Sequence, residues 1–471
     1  MFFRVPIGIP PYALHSCTCA RLLVRIIETY SPSPPKAIMS RFLVRAVLVL
    51  TALIMLRAEF VLHAANKGSM GGDFWAYFTG SWVVRSGSTL DLYKAASENV
   101  DASDVVIDSK VTPEGDSNYV QTAQAHSIPV GGLYIYPPTL ADLMTPLTLL
   151  SPKAALRVWY ALSFAALIGA GVLIARLIGI KSVSHALPVL AGLMIFPPVF
   201  DCLTWGQVPL ILLFIIVAAI ALLVEGKRQS SALLFALAAA IKLTPLVVLL
   251  PLLAWREWKA VQALTFWGLA ILFALLAING TGWLNLYFLH ETPTLGAVLD
   301  FQNRSLGTVF HLLSIESGKA WSVSLAGISG NQPQQALFLW LGRALSVAAI
   351  GVACWLTCIS AKTVKATDKV ETIAAFLLIV CCIAPVSWLH AYVLAAPALA
   401  ICGKRIWQRA LFNWETVLFV CFLGSVSIFR FDAVKLLTPI LGIALALMEL
   451  YRLKYDRNRA KPDLVLASSA A

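Results

Sequence analysis

A single carboxylate, Asp73, follows two glycines and precedes an aromatic cluster in GSMGGDFWAYFTGSW (68–82). The apolar run RFLVRAVLVLTALIMLRAEFVLHAA (41–65) ends just before it. An acid at a lipid boundary costs free energy unless something uses it. Two roles fit Asp73. It can cap an interfacial helix whose Phe74, Trp75 and Tyr77 form an aromatic belt, or take a proton from a reacting hydroxyl as a general base. Lys242 stands inside an apolar run, between ALAAAI and LTPLVVLLPLL, where a structural ion pair or a lipid phosphate would have to satisfy its charge. His390, in CCIAPVSWLHAYVLAAP, lies at an expected break between two apolar spans, where a lone His is more often a satisfied structural group than a functional one. Asn303, Arg304 and Ser305 make a polar turn in DFQNRSLGTVFHLL, which taken alone is a helix cap.

These residues need elements to hold them, and composition says which. The chain has 471 residues, 59% hydrophobic and 13% charged, with a mean hydropathy of +0.80. Repeated apolar runs of about 20 residues read as transmembrane helices. The expected class is an all-α polytopic membrane protein of about 10–12 spans with a large first external loop. The formal charge is +12, but its basic residues sit in short connectors such as GKRQ, WREWK, KTVKATDK and GKRIWQR, and in the tail YRLKYDRNRAK. Basic connectors between apolar spans mark cytoplasmic loops, and no polar basic domain for nucleic acid is present. Nine cysteines show no disulfide framework; seven fall in or beside apolar spans as packing residues, and Cys17 and Cys19 are too few for a metal site.

Residues 1–38 carry prolines throughout and no membrane-length run, so they read as a poorly ordered leader or a mis-assigned start, with Met39 opening a conventional first span over 41–63. Residues 39–455 form one membrane domain and 456–471 a cytoplasmic tail. The external loop covers 64–136, with helix-like segments at 73–86 and 91–99 and a solvated polar stretch before 128. YIYPPTLADLMTPLTLLSP (134–152) either spans thinly or re-enters. Further spans are expected near 154–177, 184–201, 207–224, 259–278, 335–360, 371–386, 390–403, 414–430 and 434–451. Lys242 and Pro245 interrupt 230–254, giving one kinked helix or two half-helices, and charge favours re-entry. Asp73, segment 279–334, residues 387–390 and Arg430 to Asp432 then reach the outer face together.

No nucleotide-binding loop, H-E-x-x-H, G-x-S-x-G or Cys/His metal spacing occurs, so no cofactor and no metal is expected. Five stretches in order do carry a likeness: DFWAYFTGSWVVRSGSTLDLY, YIYPP, WGQVPLILLF with the following segment through AIKLTP, QNRSLGTVFHLL and APVSWLHAYV. Together they resemble glycosyltransferase family 87 of the GT-C superfamily, over about residues 41–450. The pattern maps onto Asp73, Tyr77, Gly87 and Tyr93, then Tyr136, Pro137 and Pro138, then Gly206 and Gln207. It continues with Lys242 and Pro245, with Asn303, Ser305 and Leu306, and with Ser387, Trp388 and His390. Departures are Pro209 for an Asn, Arg304 for a Gln, and Leu389 and Ala391 for an acid and a second His.

The resemblance implies a polyprenyl-phosphate-sugar-dependent hexosyltransferase, an α-mannosyltransferase by its nearest likeness. It would sit in the inner (plasma) membrane and act on an envelope glycolipid or glycan at the extracytoplasmic face. Asp73 would be the base of an inverting attack. Lys242, Arg304 and Arg430 would meet the donor phosphate, and His390 would position acceptor or phosphate. Tyr77, Tyr136, Gln207, Asn303, Ser305 and Trp388 would line the substrate site. Two other readings fit the same residues. A broken helix with an embedded lysine also suits a lipid or sugar transporter or flippase. A non-catalytic scaffold would leave Asp73 and His390 replaceable.

Overall fold

The structure, a computed structural model, describes residues 50, 52–53, 70–93, 118–129, 134–180, 183–291, 303–313, 333–358, 364–385, 387–408, 413–427 and 432–459. Seventeen α-helices and no strand occur among the described residues. All of the expected first span but residues 50, 52 and 53, together with the segment 94–99, Cys17, Cys19, Arg430 and the tail beyond 459, lies outside them.

Helix α1 (Gly72–Arg85) opens on Gly71 in the left-handed region. It is followed by α2 (Asn118–Ala125) and α3 (Pro138–Met144). Helix α2 falls in the stretch expected to be a solvated loop. It forms because Tyr119, Val120 and Ala123 share one buried face, and the Tyr119 hydroxyl donates to the Ala76 carbonyl at 3.0 Å. Pro137 and Pro138 start α3, and a 3₁₀ turn, Thr145–Leu149, continues it. Together they reach roughly 20 Å, too short to cross a hydrocarbon layer about 30 Å thick.

Helix α4 (Pro152–Leu177) is long and apolar enough to cross. After it, α5 (Val183–Met194) and α6 (Pro197–Trp205) form a pair bent by 59°. Pro197 and Pro198 set that break, because proline starts a helix well and cannot continue one. Helix α7 (Pro209–Val224) starts at Pro209. Next come α8 (Arg228–Ile241), a 3₁₀ turn Thr244–Val248, α9 (Leu249–Ala254) and α10 (Trp258–Asn279). Lys242 has extended backbone between α8 and the 3₁₀ turn. Arg228 lies 3.5 Å from Glu257, so the chain enters along α8, turns at Lys242 and returns along α9 to the level at which it started. The stretch is thus two half-helices with a break at Lys242, one of the two forms that the sequence reading allows.

The remaining elements are α11 (Gly282–Asn285) with a π-turn Leu286–Glu291, α12 (Leu306–Leu313), α13 (Pro333–Thr357) and α14 (Ala366–Ile383). A 3₁₀ turn Leu389–Ala395 leads into α15 (Ala396–Gln408), then α16 (Trp414–Ser427) and α17 (Asp432–Arg459). By length and composition three helices among the described residues suffice to cross a membrane, or four if the bent pair is one span. Shorter apolar helices include α7, α8 and α16. The breaks at Lys242 and before His390 fall where the sequence places them, while the break at Pro197 divides the expected span 184–201. The molecule is a multi-pass helical membrane protein.

Its polar ends sort onto two levels. At one, Arg85 donates to Thr148 Oγ1 at 2.7 Å, and Asn279 joins Thr89 and Asp142 at 2.7 and 2.9 Å. At the other, Lys369 pairs with Glu257 and Lys404 donates to the Ile178 carbonyl. Arg405 there pairs with Glu371, Glu415 and Glu449, and Arg452 with Glu371 at 2.7 Å. The second level collects the basic connectors, and its ion network ties α14, α15, α16 and α17 together. Cys402, Glu415 and Glu449 offer three donor atoms within 4.8 Å of one another, the one such metal-like set among the described residues. Arg405 already donates to both of its carboxylates, so the set reads as an ion pair network.

Candidate active site

Asp73 lies in the first turn of α1, and three glycines bring that turn onto α6. The Gly71 N–H donates to the Thr204 carbonyl at 2.8 Å. A Cβ on Gly72 would stand 2.8 Å from the Trp205 ring. Gly206, with φ +68°, would place a Cβ 2.8 Å from Phe74 Cβ. Trp159 completes the junction, donating from Nε1 to the Gly206 carbonyl at 2.8 Å and packing its ring on Phe74 and Tyr77. The glycines before Asp73 are therefore spent on close approach. Replacing Gly206 with Ala is expected to lower thermal stability and cut turnover by about 10², since a left-handed alanine costs about 1–2 kcal/mol and ångström-scale misplacement costs about that factor. Melting curves and steady-state kinetics of the purified variant check this.

The junction delivers Gln207 to Asp73. Gln207 Nε2 donates to Asp73 Oδ2, while its Oε1 accepts from Tyr77 at 2.7 Å and from Tyr136 at 3.1 Å. One amide thus orients the carboxylate and is itself held by two buried phenols. Helix α1 lies outside every segment long enough to span. Asp73 is partly exposed at its edge, yet burial pushes its carboxyl up to about 6, against lowering by His390, the Gln207 hydrogen bond and Lys242; Asp201 adds to the rise.

Lys242 arrives from the re-entrant tip, with Nζ 5.6 Å from the centre of the Tyr136 ring. No carboxylate among the described residues forms an ion pair with it. A recess of about 10 Å³ opens beside it, lined by Thr244, Cys381, Ser387 and Ala391 among others. The Thr244 hydroxyl is buried without a partner among the described residues.

His390 is buried, and its Nδ1 lies 3.2 Å from Asp201 Oδ2 on α6. Trp388 packs edge-on to it at 5.6 Å, and the enclosed Trp388 Nε1–H has no acceptor among the described residues. Asn303 braces this turn. Its Oδ1 accepts from the Ser305 and Ser387 N–H groups at 3.1 and 3.0 Å, and its Nδ2 donates to the Pro385 carbonyl at 3.0 Å. Arg304 is buried, and its Nη1 donates to the Ser425 and Val426 carbonyls at 3.0 and 2.9 Å, tying the turn to the end of α16.

The structure therefore brings Asp73, Tyr77, Tyr136, Gln207, Lys242 and His390 into one cluster. Asn303, Ser305 and Trp388 belong to the turn that carries His390. Arg304 sits one layer behind it, and Arg430 lies outside the described residues. Asp201 was missed by the sequence reading, although an acid inside an apolar helix carries the same cost signal that marks Lys242.

An interrupted helical membrane fold thus gathers a carboxylate held by an amide and an ammonium with no carboxylate partner among the described residues. Residues 134–385 match the model of glycosyltransferase family 87, and the chain belongs to that family; it is a membrane glycosyltransferase. It is 26% identical over 309 residues to the polyprenol-phosphate-mannose-dependent alpha-(1-2)-phosphatidylinositol pentamannoside mannosyltransferase of Mycolicibacterium smegmatis, covering 61% of this chain and 67% of that protein. No solved structure matches.

Proposed function

We propose that the protein transfers a mannosyl group from a polyprenyl-phosphate carrier to an envelope glycolipid or glycan at the extracytoplasmic face of the inner membrane, with Asp73 as base. The observation that carries this is the convergence of the Asp73–Gln207 pair on Lys242, which has no carboxylate partner among the described residues. The relative's donor supports the sugar and its carrier. In the step, the acceptor oxygen bonds to the anomeric carbon and its proton passes to Asp73. The bond from that carbon to the phosphate oxygen breaks, and its electron pair leaves with the polyprenyl phosphate. Attack in line inverts the anomeric centre. Lys242, with Thr244 beside it, holds the phosphate as negative charge builds, and His390 faces the same phosphate. Tyr77, Tyr136 and Gln207 fix the base, while Asn303 and Ser305 act by holding the Trp388–His390 turn. Arg304 would reach the phosphate only by releasing the Ser425 and Val426 carbonyls.

The test is transfer by purified protein in liposomes from radiolabelled polyprenyl-phosphate-mannose to a panel of glycolipid acceptors. Label in a new glycolipid supports the reading. Label that crosses the bilayer while still on its carrier would replace it with the flippase reading. Sidedness has its own check. Cysteines introduced at the exposed Ser86 and Pro385, in a background free of reactive thiols, should react with an impermeant reagent from outside intact cells. A cysteine at the exposed Glu225 should react only after lysis. The reverse pattern would place the site on the other face.

A further inference from the structure

We infer that Asp201 is the positioning residue of His390, fixing the imidazole so that Nε2 is the nitrogen presented to the leaving phosphate. Asp201 and His390 are 189 residues apart in sequence, both buried, and joined at 3.2 Å through Nδ1. Two buried polar groups with only a single short contact between their side chains are held for a reason, because an unpartnered carboxylate at this depth is costly. A carboxylate on Nδ1 accepts its proton, selects the tautomer and stops ring rotation, as it does behind metal-bound and catalytic histidines.

The main chain is held as well. The Cys202 thiol donates to the His390 carbonyl at 3.6 Å and the Cys381 thiol to the Ala391 carbonyl at 3.3 Å. Asp201 and Gln207 belong to the same stretch, α6 and the Gly206 turn after it. A single short element thus sets His390 through Asp201 and Asp73 through Gln207, which keeps the two at a constant separation. Leu389, where the family pattern expects an acid, leaves the loop itself without a carboxylate for His390, and α6 provides one. Asp73 acts electrostatically on both members of this pair and Arg304 on Asp201, and Lys242 faces Asp73.

The kinetic part of the inference rests on the proposed donor chemistry; the coupling to His390 does not. The full-length protein, labelled with ¹⁵N-histidine and placed in nanodiscs, gives the ring signals directly, with His390→Gln assigning the one that disappears. Wild type should show a single protonated Nδ1 for His390, and Asp201→Ala should convert it to an exchanging pattern. In transfer from polyprenyl-phosphate-mannose, Asp201→Ala should lower kcat by about 10–100-fold with little change in donor KM, and Asp201→Glu should recover part of it. Adding Asp201→Ala to His390→Gln should cost almost nothing more, as expected for residues acting as one unit. If Asp201→Ala is not recovered folded, Asp201→Leu, which fills the space and offers no acceptor, carries the same measurements. An unchanged His390 signal, or effects that multiply, would overturn the inference. Absence of transfer by wild type would instead remove the donor reading, and the ring signals alone would then decide.

Discussion

Asp73→Asn is expected to transfer sugar at least about 100-fold more slowly than wild type, because a general base contributes typically about 10²–10⁴ to rate. The amide keeps the side-chain shape and its bond to Gln207 but has no basicity. The variant should fold at least as well as wild type. The folded carboxyl titrates near 6 against an ordinary 3.8, so the folded state binds the proton more tightly. Stability contributed by the protonated acid is present at low pH and is lost as pH rises through that interval. Above pH 6 the ionised acid costs the fold at most about 3 kcal/mol, less by whatever water reaches its exposed edge. Removing the charge should raise the melting temperature at neutral pH while activity collapses. Asp73→Glu should recover little, since one methylene moves the carboxylate by about an ångström. Asp91→Asn is the control and should remain active. If Asp91→Asn is dead and Asp73→Asn is not, the base is Asp91.

Lys242→Ala should raise the donor KM by about tenfold to 100-fold, the range for a lost hydrogen bond to a charged group. The ammonium has no carboxylate partner among the described residues, so its removal should not lower the melting temperature; an unpaired charge at this depth is a cost. Lys242→Arg should retain part of the affinity, because charge survives while the compact point donor does not. Normal kinetics in a poorly folding Lys242→Ala would make the residue structural and remove it from the site. Donor titrations under steady state, with melting curves on the same preparations, separate these outcomes.

Much of this site was legible in the chain because its signals are local. Asp73 after two glycines, the Tyr-Pro-Pro start of α3, and Lys242 with Pro245 breaking a run each declare themselves within a few residues. Their common order gave the family. What was not legible is contact across the sequence. Gln207 meets Asp73 over a separation of 134 residues, and only the close packing of Gly71, Gly72 and Gly206 makes that meeting possible. Arg304 reads as a phosphate ligand by charge alone, yet the nearest need it meets is that of two carbonyls ending α16. Helix α2 is short and polar on most of its surface, so its three buried residues carry too little periodicity to stand out. Hydropathy also merged α5 and α6 into one span, because a window of membrane length averages over the break at Pro197.

The most direct test of the central claim is the pH dependence of a single turnover of sugar transfer from polyprenyl-phosphate-mannose. With Asp73 as the base, the rate should rise through about pH 6, where its carboxyl ionises, and stay level above. The residual rate of Asp73→Asn should lack that rise, and His390→Gln should keep it. A wild-type profile that is flat between about pH 5 and pH 7, or a rise that persists in Asp73→Asn, would contradict the assignment of Asp73 as the base.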